Sequence, residues 1–373
     1  MGFTPPPYPY DRLNALRARA IERFGSAIDC SIGTPCDAPP QQVIDKLSSA
    51  NAERGYPTSA GSQELRDSIA NYLERTFGVS LDADNVAACV GTKEFVASSA
   101  QYLHLKDPSK DTVLFPAVSY PTYAMGATLA GLRSQFVPQG SDGRPDLSAL
   151  SQSDIDRALL LWSNSPSNPT GALEDLGSVA AWGRRHGVPV FSDECYAEFT
   201  WQDKPRTILE SGLDGVLAVH SISKRSNLAG VRCGFYTGDP ELVTFLKGVR
   251  QHAGLMVPGP VQAAVALAYS DDAHVAQQRS VYLGRLELLA QALTRAGIDA
   301  QVPEGTFYLW VAVPSRFADG WELAAYLAES TGLIVSPGDL YGDAGAGHIR
   351  IAVVVANEGL ELVAERLSIS SLG

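Results

Sequence analysis

A chain of 373 residues, 45% of them hydrophobic, is too long for one small core and carries enough apolar material to bury two domains. Its 29 basic against 41 acidic residues leave a net charge of −12, which argues against nucleic-acid binding and fits a soluble enzyme. The start MGFTPPPYPYDRLNALRARA lacks a signal-peptide core and, with Pro5 to Pro7, makes a poor myristoylation signal, and no uncharged run is long enough to span a membrane. A cytoplasmic protein without membrane or nucleic-acid partners is expected. Five cysteines (Cys30, Cys36, Cys89, Cys195, Cys233) have no paired metal-ligand spacing and read as reduced core thiols.

In chain order, DRLNALRARAIERFG has helical spacing, and AIDCSIGTP reads as a short strand ending in a turn. From about residue 60 helices and strands alternate: SQELRDSIANYLERTFG is helical, NVAACVGT strand-like, EFVASSAQYLHL helical. TVLFPAVSYP and ALLLWSNSPSNPTG are strands running into loops, and SVAAWGRRHG is a helix. VPVFSDECY and GVLAVHSISK are short apolar runs bounded by turn residues, the mark of buried strands. This alternation predicts an α/β core with a largely parallel sheet. Past residue 270 the texture changes to one long amphipathic helix, DAHVAQQRSVYLGRLELLAQALTRAG, then GTFYLWVAV, ELAAYLAES, GLIVSPG and HIRIAVV. That is a smaller α+β unit, which the N-terminal segment joins.

A parallel α/β sheet places its ligands at the carboxyl ends of its strands. Four loops there are polar in complementary ways. VGTKE sets Gly91, Thr92 and Lys93 between a strand and a helix start, where exposed N–H groups attract a phosphate. SNPTG offers the amide of Asn168, SDECY offers Asp193 and Tyr196, and SISK offers Ser221, Ser223 and Lys224. A carboxylate, a phenol, an amide, an amine and an anion cradle together suit pyridoxal phosphate, which needs a lysine to bind it covalently and an acid to pair with its ring nitrogen.

Jointly, SIGTP, RGYPTSAGSQELR, GTKE, SYPTYAMGA, NSPSNPTG, SDECY, SISKRSNLAGVRCGF, GTFYLW, SPGDLYG and HIRIA resemble the fold-type-I pyridoxal-phosphate aminotransferases of the aspartate aminotransferase superfamily. GYPTSAG, VGTKE, SKRSNLAG and MVPGPVQAA look most like the N-succinyldiaminopimelate aminotransferases of lysine biosynthesis. The resemblance implies an α/β fold: a large cofactor-binding domain over 41–269 with a mostly parallel seven-stranded sheet, and a small α+β domain made of 1–40 and 270–373. It implies that Lys224 binds the cofactor and shuttles a proton, that Asp193 pairs with the ring nitrogen, and that Asn168 and Tyr196 bond the ring oxygen. Ser221, Ser223, Arg232 and the amides of Thr92 and Lys93 would hold the phosphate; the Lys93 side chain reads equally as a solvated first-turn residue. Tyr56 would reach the phosphate of a neighbouring subunit, making the protein a homodimer. Arg350 would clamp the substrate carboxylate, with Asn168 and Gly33 beside it.

One departure is Ala117, at a position where aspartate-type relatives often carry an aromatic ring over the cofactor; Tyr120 becomes the expected stacking ring. His220 and His252 read as satisfied core histidines. The leading expectation is transfer of an amino group between glutamate and N-succinyl-2-amino-6-oxopimelate, with 2-oxoglutarate as co-product. Another aminotransferase (aspartate, aromatic or broad-specificity) and a β-eliminating carbon–sulfur lyase are the alternatives. A transcription regulator built on this fold would need a DNA-binding module, and the roughly 40 residues before the core motifs carry no helix-turn-helix pattern.

Overall fold

A computed structural model describes residues 3–6, 9–49 and 54–369. Its strands in chain order are β1 (Ile28–Asp29), β2 (Val86–Cys89), β3 (Thr112–Pro116), β4 (Arg133–Val137), β5 (Ala158–Asn164) and β6 (Val190–Asp193). There follow β7 (Val216–Ser221), β8 (Gly234–Gly238), β9 (Tyr308–Ala312), β10 (Leu333–Ile334), β11 (Ser336–Pro337) and β12 (His348–Ala352). Seven form one sheet in the order β2-β8-β7-β6-β5-β3-β4. Its pairings are parallel except those of β8, which runs antiparallel to both β2 and β7.

The central strands are continuous apolar runs because both faces are covered. Along β5, Leu161 packs into one core with Ala88, Val190 and Ala218, while Leu160 and Trp162 pack into the other with Phe191, Leu217 and Val219. This is the two-residue alternation of a strand read out on two buried faces. Some of the flanking helices start where the sequence supplies a side-chain cap. The helix Gln63–Phe77, for example, opens on Ser62, whose hydroxyl accepts the Leu65 N–H at 3.2 Å.

A separate core holds Leu16, Leu286, Leu323, Ile349 and Leu360 around the three-stranded sheet β11-β12-β9 and the pair β1-β10. The N-terminal segment enters it, since Ile28 pairs with Leu333 in parallel. No helix among the described residues is long and apolar enough to cross a membrane.

Two strands escaped the sequence reading. β4 is the sheet edge, with Arg133, Ser134 and Phe136 exposed, so it has no apolar run. β8, begun and ended by Gly234 and Gly238, had no place in the alternation read from the sequence, yet it is fully buried between two strands. Two other expectations need correction. His252, at the end of the helix Pro240–His252, is exposed, whereas His220 is buried, stacks on Phe235 at 4.8 Å and pairs with Glu194 at 3.0 Å. Of the five free cysteines, Cys36 is exposed and Cys195 half-buried; only Cys30, Cys89 and Cys233 are core thiols.

Candidate active site

The carboxyl ends of β5, β6 and β7 open onto a cavity of about 340 Å³. Of the residues expected to bind cofactor or substrate, Gly33, Thr92, Lys93, Tyr120, Asn168, Asp193, Tyr196, Ser221, Ser223, Lys224, Arg232 and Arg350 line it, and Tyr56 does not. Tyr56 stands 99% exposed on the surface. A larger cavity, about 580 Å³ against the helix Leu176–His186, includes none of them. Ala117 faces a third, apolar cavity with Phe115 and Phe136, and Tyr120 forms part of the wall of both.

Lys224 lies in a single helical turn, Ile222–Arg225, rather than in a loop. Ser221 ends β7 and caps that turn, its hydroxyl accepting the Ser223 N–H at 3.2 Å. The lysine amine donates to the carbonyl of Gly33, reaching the N-terminal segment across the cavity. Burial lowers its pKa to about 8, so a useful fraction is neutral and nucleophilic near neutral pH.

Asp193, at the end of β6, accepts the Tyr123 hydroxyl at 2.9 Å and the Cys195 N–H at 3.2 Å. Tyr123 is itself fixed by stacking on Trp162, ring centroids 5.2 Å apart. Burial pushes the Asp193 carboxyl above its ordinary value, so a cationic partner at this spot would be strongly favoured. Asn164 braces the floor: its Nδ2 donates to the Asp193 carbonyl at 2.7 Å, and its Oδ1 accepts the Asn168 N–H at 2.7 Å.

One end of the cavity is an anion cradle. Gly91 precedes the helix Thr92–Lys106 at φ 79°, and a Cβ there would run into the Arg232 guanidinium. Glycine thus permits both the backbone turn and the close approach of the arginine. Arg232, itself left-handed at φ 55°, is exposed and tethered to the Ala229 carbonyl at 2.9 Å. It gets there because β8 runs backwards: the start of β8, not its end, lies beside Cys89 and Ser221. The helix start, two serines and one guanidinium gather N–H and O–H donors and positive charge at this end, the chemistry that an anion requires.

The other end is buried. Arg350, on β12, is 2% exposed between the rings of Tyr308 (4.1 Å) and Tyr341 (4.8 Å). It donates to Asn168 Oδ1 at 2.8 Å and to the Ser31 carbonyl at 2.6 Å, while its Nε is buried without a hydrogen-bond partner among the described residues. A guanidinium held this way is ready for a carboxylate. The Tyr196 hydroxyl lies 2.8 Å from that of Tyr308.

The sequence reading missed several lining or bracing residues. Asn164 and Tyr123 stood inside the quoted motifs NSPSNPTG and SYPTYAMGA but were given no role of their own. Tyr308 stood in GTFYLW without a role. Cys195 was counted with the core thiols, although its sulfur lies 3.3 Å from the Thr92 hydroxyl inside the cavity.

Residues 26–367 match the family model described as aminotransferase class I and II. The chain is 39% identical to the 4-dedimethylamino-4-oxo-anhydrotetracycline transaminase OxyQ of Streptomyces rimosus, over 97% of this chain and 99% of that one. It is 32% identical to the LL-diaminopimelate aminotransferase of Aquifex aeolicus, over 97% and 96%. Among solved structures, a "probable N-succinyldiaminopimelate aminotransferase" from Thermus thermophilus superimposes with a TM-score of 0.87 at 29% identity, covering 97% of this chain and 100% of that one.

Proposed function

Because the chain belongs to the class I and II aminotransferase family, and is therefore a pyridoxal-phosphate-dependent transaminase, we propose that it exchanges an amino group between glutamate and N-succinyl-2-amino-6-oxopimelate, in the cytoplasmic diaminopimelate route to lysine. The observation that carries an amino-acid substrate is Arg350, a buried cation with an unpartnered Nε in the same cavity as the Lys224 amine. The diaminopimelate and succinyldiaminopimelate names among its relatives support the longer substrate. So do the exposed Ile32 and Thr34 at the mouth, which leave room for a distal chain.

The residues fit the cofactor. The cradle of Gly91, Thr92, Ser221, Ser223 and Arg232 would take its phosphate, and Asp193, raised by burial and bonded by neutral donors, would gain by facing a protonated ring nitrogen. Asn168 and Tyr196 would bond the ring oxygen, and Tyr120 would cover the ring. When bound, pyridoxal phosphate supplies the aldehyde that accepts the amino group and the ring that spreads carbanion charge. The chain does the rest. Arg350 and Asn168 would orient the substrate so that its α-proton faces Lys224, whose amine would take up and hold that proton.

The likeness to OxyQ favours a second reading, in which an oxo-anhydrotetracycline-like ketone is the acceptor. A half-reaction screen separates the two: amino donors are added to the purified holoenzyme while the cofactor absorbance is followed. Glutamate and N-succinyldiaminopimelate should convert it, and the latter should exceed aspartate in kcat/KM by about tenfold, roughly 1.4 kcal/mol of transition-state binding. Preference for aspartate or an aromatic amino acid would overturn the lysine-pathway reading, and release of pyruvate and ammonia without an acceptor would indicate a lyase.

The same reading makes the protein a homodimer in which each Tyr56 completes the partner's phosphate site, supported by its full exposure on the single chain. Mixed dimers of inactive Tyr56→Phe and Lys224→Ala chains should recover part of the activity. Subunit exchange without recovery would refute sharing.

A further inference from the structure

We infer that Tyr308 is a positioning residue that transmits occupancy of the Arg350 clamp to the hydroxyl of Tyr196. This rests on the aminotransferase reading above and extends it to a residue with no role there. Tyr308 starts β9 and is 1% exposed. Its ring lies 4.1 Å from the Arg350 guanidinium, and its hydroxyl lies 2.8 Å from that of Tyr196. A Cβ on Gly33 would run into that same hydroxyl, and the Gly33 carbonyl holds the Lys224 amine. One side chain therefore touches the carboxylate clamp, the phenol beside the cofactor's ring oxygen, and the peptide that Lys224 leans on. Its backbone is fixed as well, since the Tyr308 N–H donates to Thr306 Oγ1 at 3.2 Å.

The physical link is competition for one proton. The hydroxyl of Tyr196 can donate either to Tyr308 or to an oxygen in the cavity, not to both. Burial raises both phenols, so each stays protonated and neither signals by ionising. The groups around the pair are Arg350, Tyr10 and Cys195, with Lys224 and Asp193 beyond Cys195. Arg350 is the cation whose field changes when a carboxylate binds. While its charge is unopposed, it draws electron density from the Tyr308 ring and makes the hydroxyl oxygen a poor acceptor. A carboxylate on the guanidinium removes that pull, so the Tyr196 proton turns towards Tyr308. With cofactor bound, its ring oxygen would then lose the Tyr196 donor, and the Lys224 nitrogen would hold its proton more tightly. Tyr341 covers the other face of Arg350 but sends its hydroxyl to Tyr10 at 3.0 Å, which makes it the natural control.

The test uses the holoenzyme and maleate, an unreactive dicarboxylate. The pH midpoint of the absorbance of the Lys224-bound cofactor is measured with and without saturating maleate. In the wild type maleate should raise the midpoint by about one pH unit, in Tyr308→Phe by less than about half of that, and in Tyr341→Phe by the full amount. Adding Tyr308→Phe to Tyr196→Phe should change nothing more, because the link is already cut. An undiminished response in Tyr308→Phe, or an equal loss in Tyr341→Phe, would overturn the inference. A wild-type protein without Lys224-bound cofactor would overturn the underlying reading instead.

Discussion

Arg232 and Arg350 offer the same guanidinium to the same cavity, yet one is exposed and the other is 2% exposed between two tyrosine rings. Around Arg232 little is built: one hydrogen bond to the carbonyl of Ala229 three residues away and the close approach of Gly91, brought there by the reversal of β8. Around Arg350 they come from Ser31, Asn168, Tyr308 and Tyr341, brought together by the fold from across the chain. The difference follows from desolvation. An exposed cation is held by water and needs little built around it, whereas a buried one must have its hydrogen bonds supplied by fixed groups. The Arg232 end is thus lightly built and open to water, and the Arg350 end is enclosed by groups gathered from across the fold.

The largest effect should belong to neither end. Asp193→Asn keeps the shape of the floor but removes the charge that would face the ring nitrogen, and should lower kcat by about a thousandfold, on the order of 4 kcal/mol, with cofactor retained. Near wild-type turnover would remove Asp193 from the chemistry. Next, Arg350→Lys keeps the charge but loses the fork, so kcat/KM for amino donors and oxo acceptors alike should fall by roughly a hundredfold while cofactor affinity stays unchanged. A loss confined to one substrate would mean that the buried end is not a shared carboxylate clamp.

A stability measurement probes the ground between the two ends. Lys224 takes up its proton at about pH 8 when folded and at 10.5 ordinarily, so between these values the unfolded chain binds a proton that the folded one lacks. Stability of the cofactor-free protein should therefore rise with pH through that window. Below pH 8 the penalty is complete, and Lys224→Met should be more stable than wild type by on the order of 2 kcal/mol, allowing for partial solvent screening. Denaturant unfolding at pH 7 and pH 10 checks this, and an advantage that does not shrink at the higher pH would contradict it. The smallest effect is expected at the exposed end: Arg232→Lys should weaken cofactor binding by about tenfold, roughly 1.4 kcal/mol, with substrate KM unchanged. If KM rises too, the two ends are not independent.

The same contrast explains what could be read from the chain. Motifs in which neighbours in sequence are neighbours in space, such as Ser221-Ile222-Ser223-Lys224 and Gly91-Thr92-Lys93, carried their chemistry openly. Tyr123 did not, because a tyrosine in an apolar helix has the same pattern whether its hydroxyl meets a core carbonyl or the Asp193 carboxylate. Asn164 was hidden at the end of a buried strand, and Tyr308 acquires meaning only through Tyr196 and Arg350. The edge strand β4 lacked an apolar run because one side of it meets water, and β8 was disguised by the glycines that let it pack between β2 and β7.

The reversal of β8 has a consequence for how the sheet closes. Within that sheet β2 hydrogen-bonds to β8 alone, and Arg232, just before β8, lies against Gly91, just after β2. An anion that bridges Arg232 and the helix start therefore fastens the seam on both sides of the inserted strand. Through mass action it should stabilise that seam beyond the rest of the sheet. Inorganic phosphate should accordingly slow amide hydrogen exchange in Val86–Cys89 and Gly234–Gly238 while leaving β5 and β6 at their own pace, making the cradle a clasp across the antiparallel strand as well as a seat for a ligand.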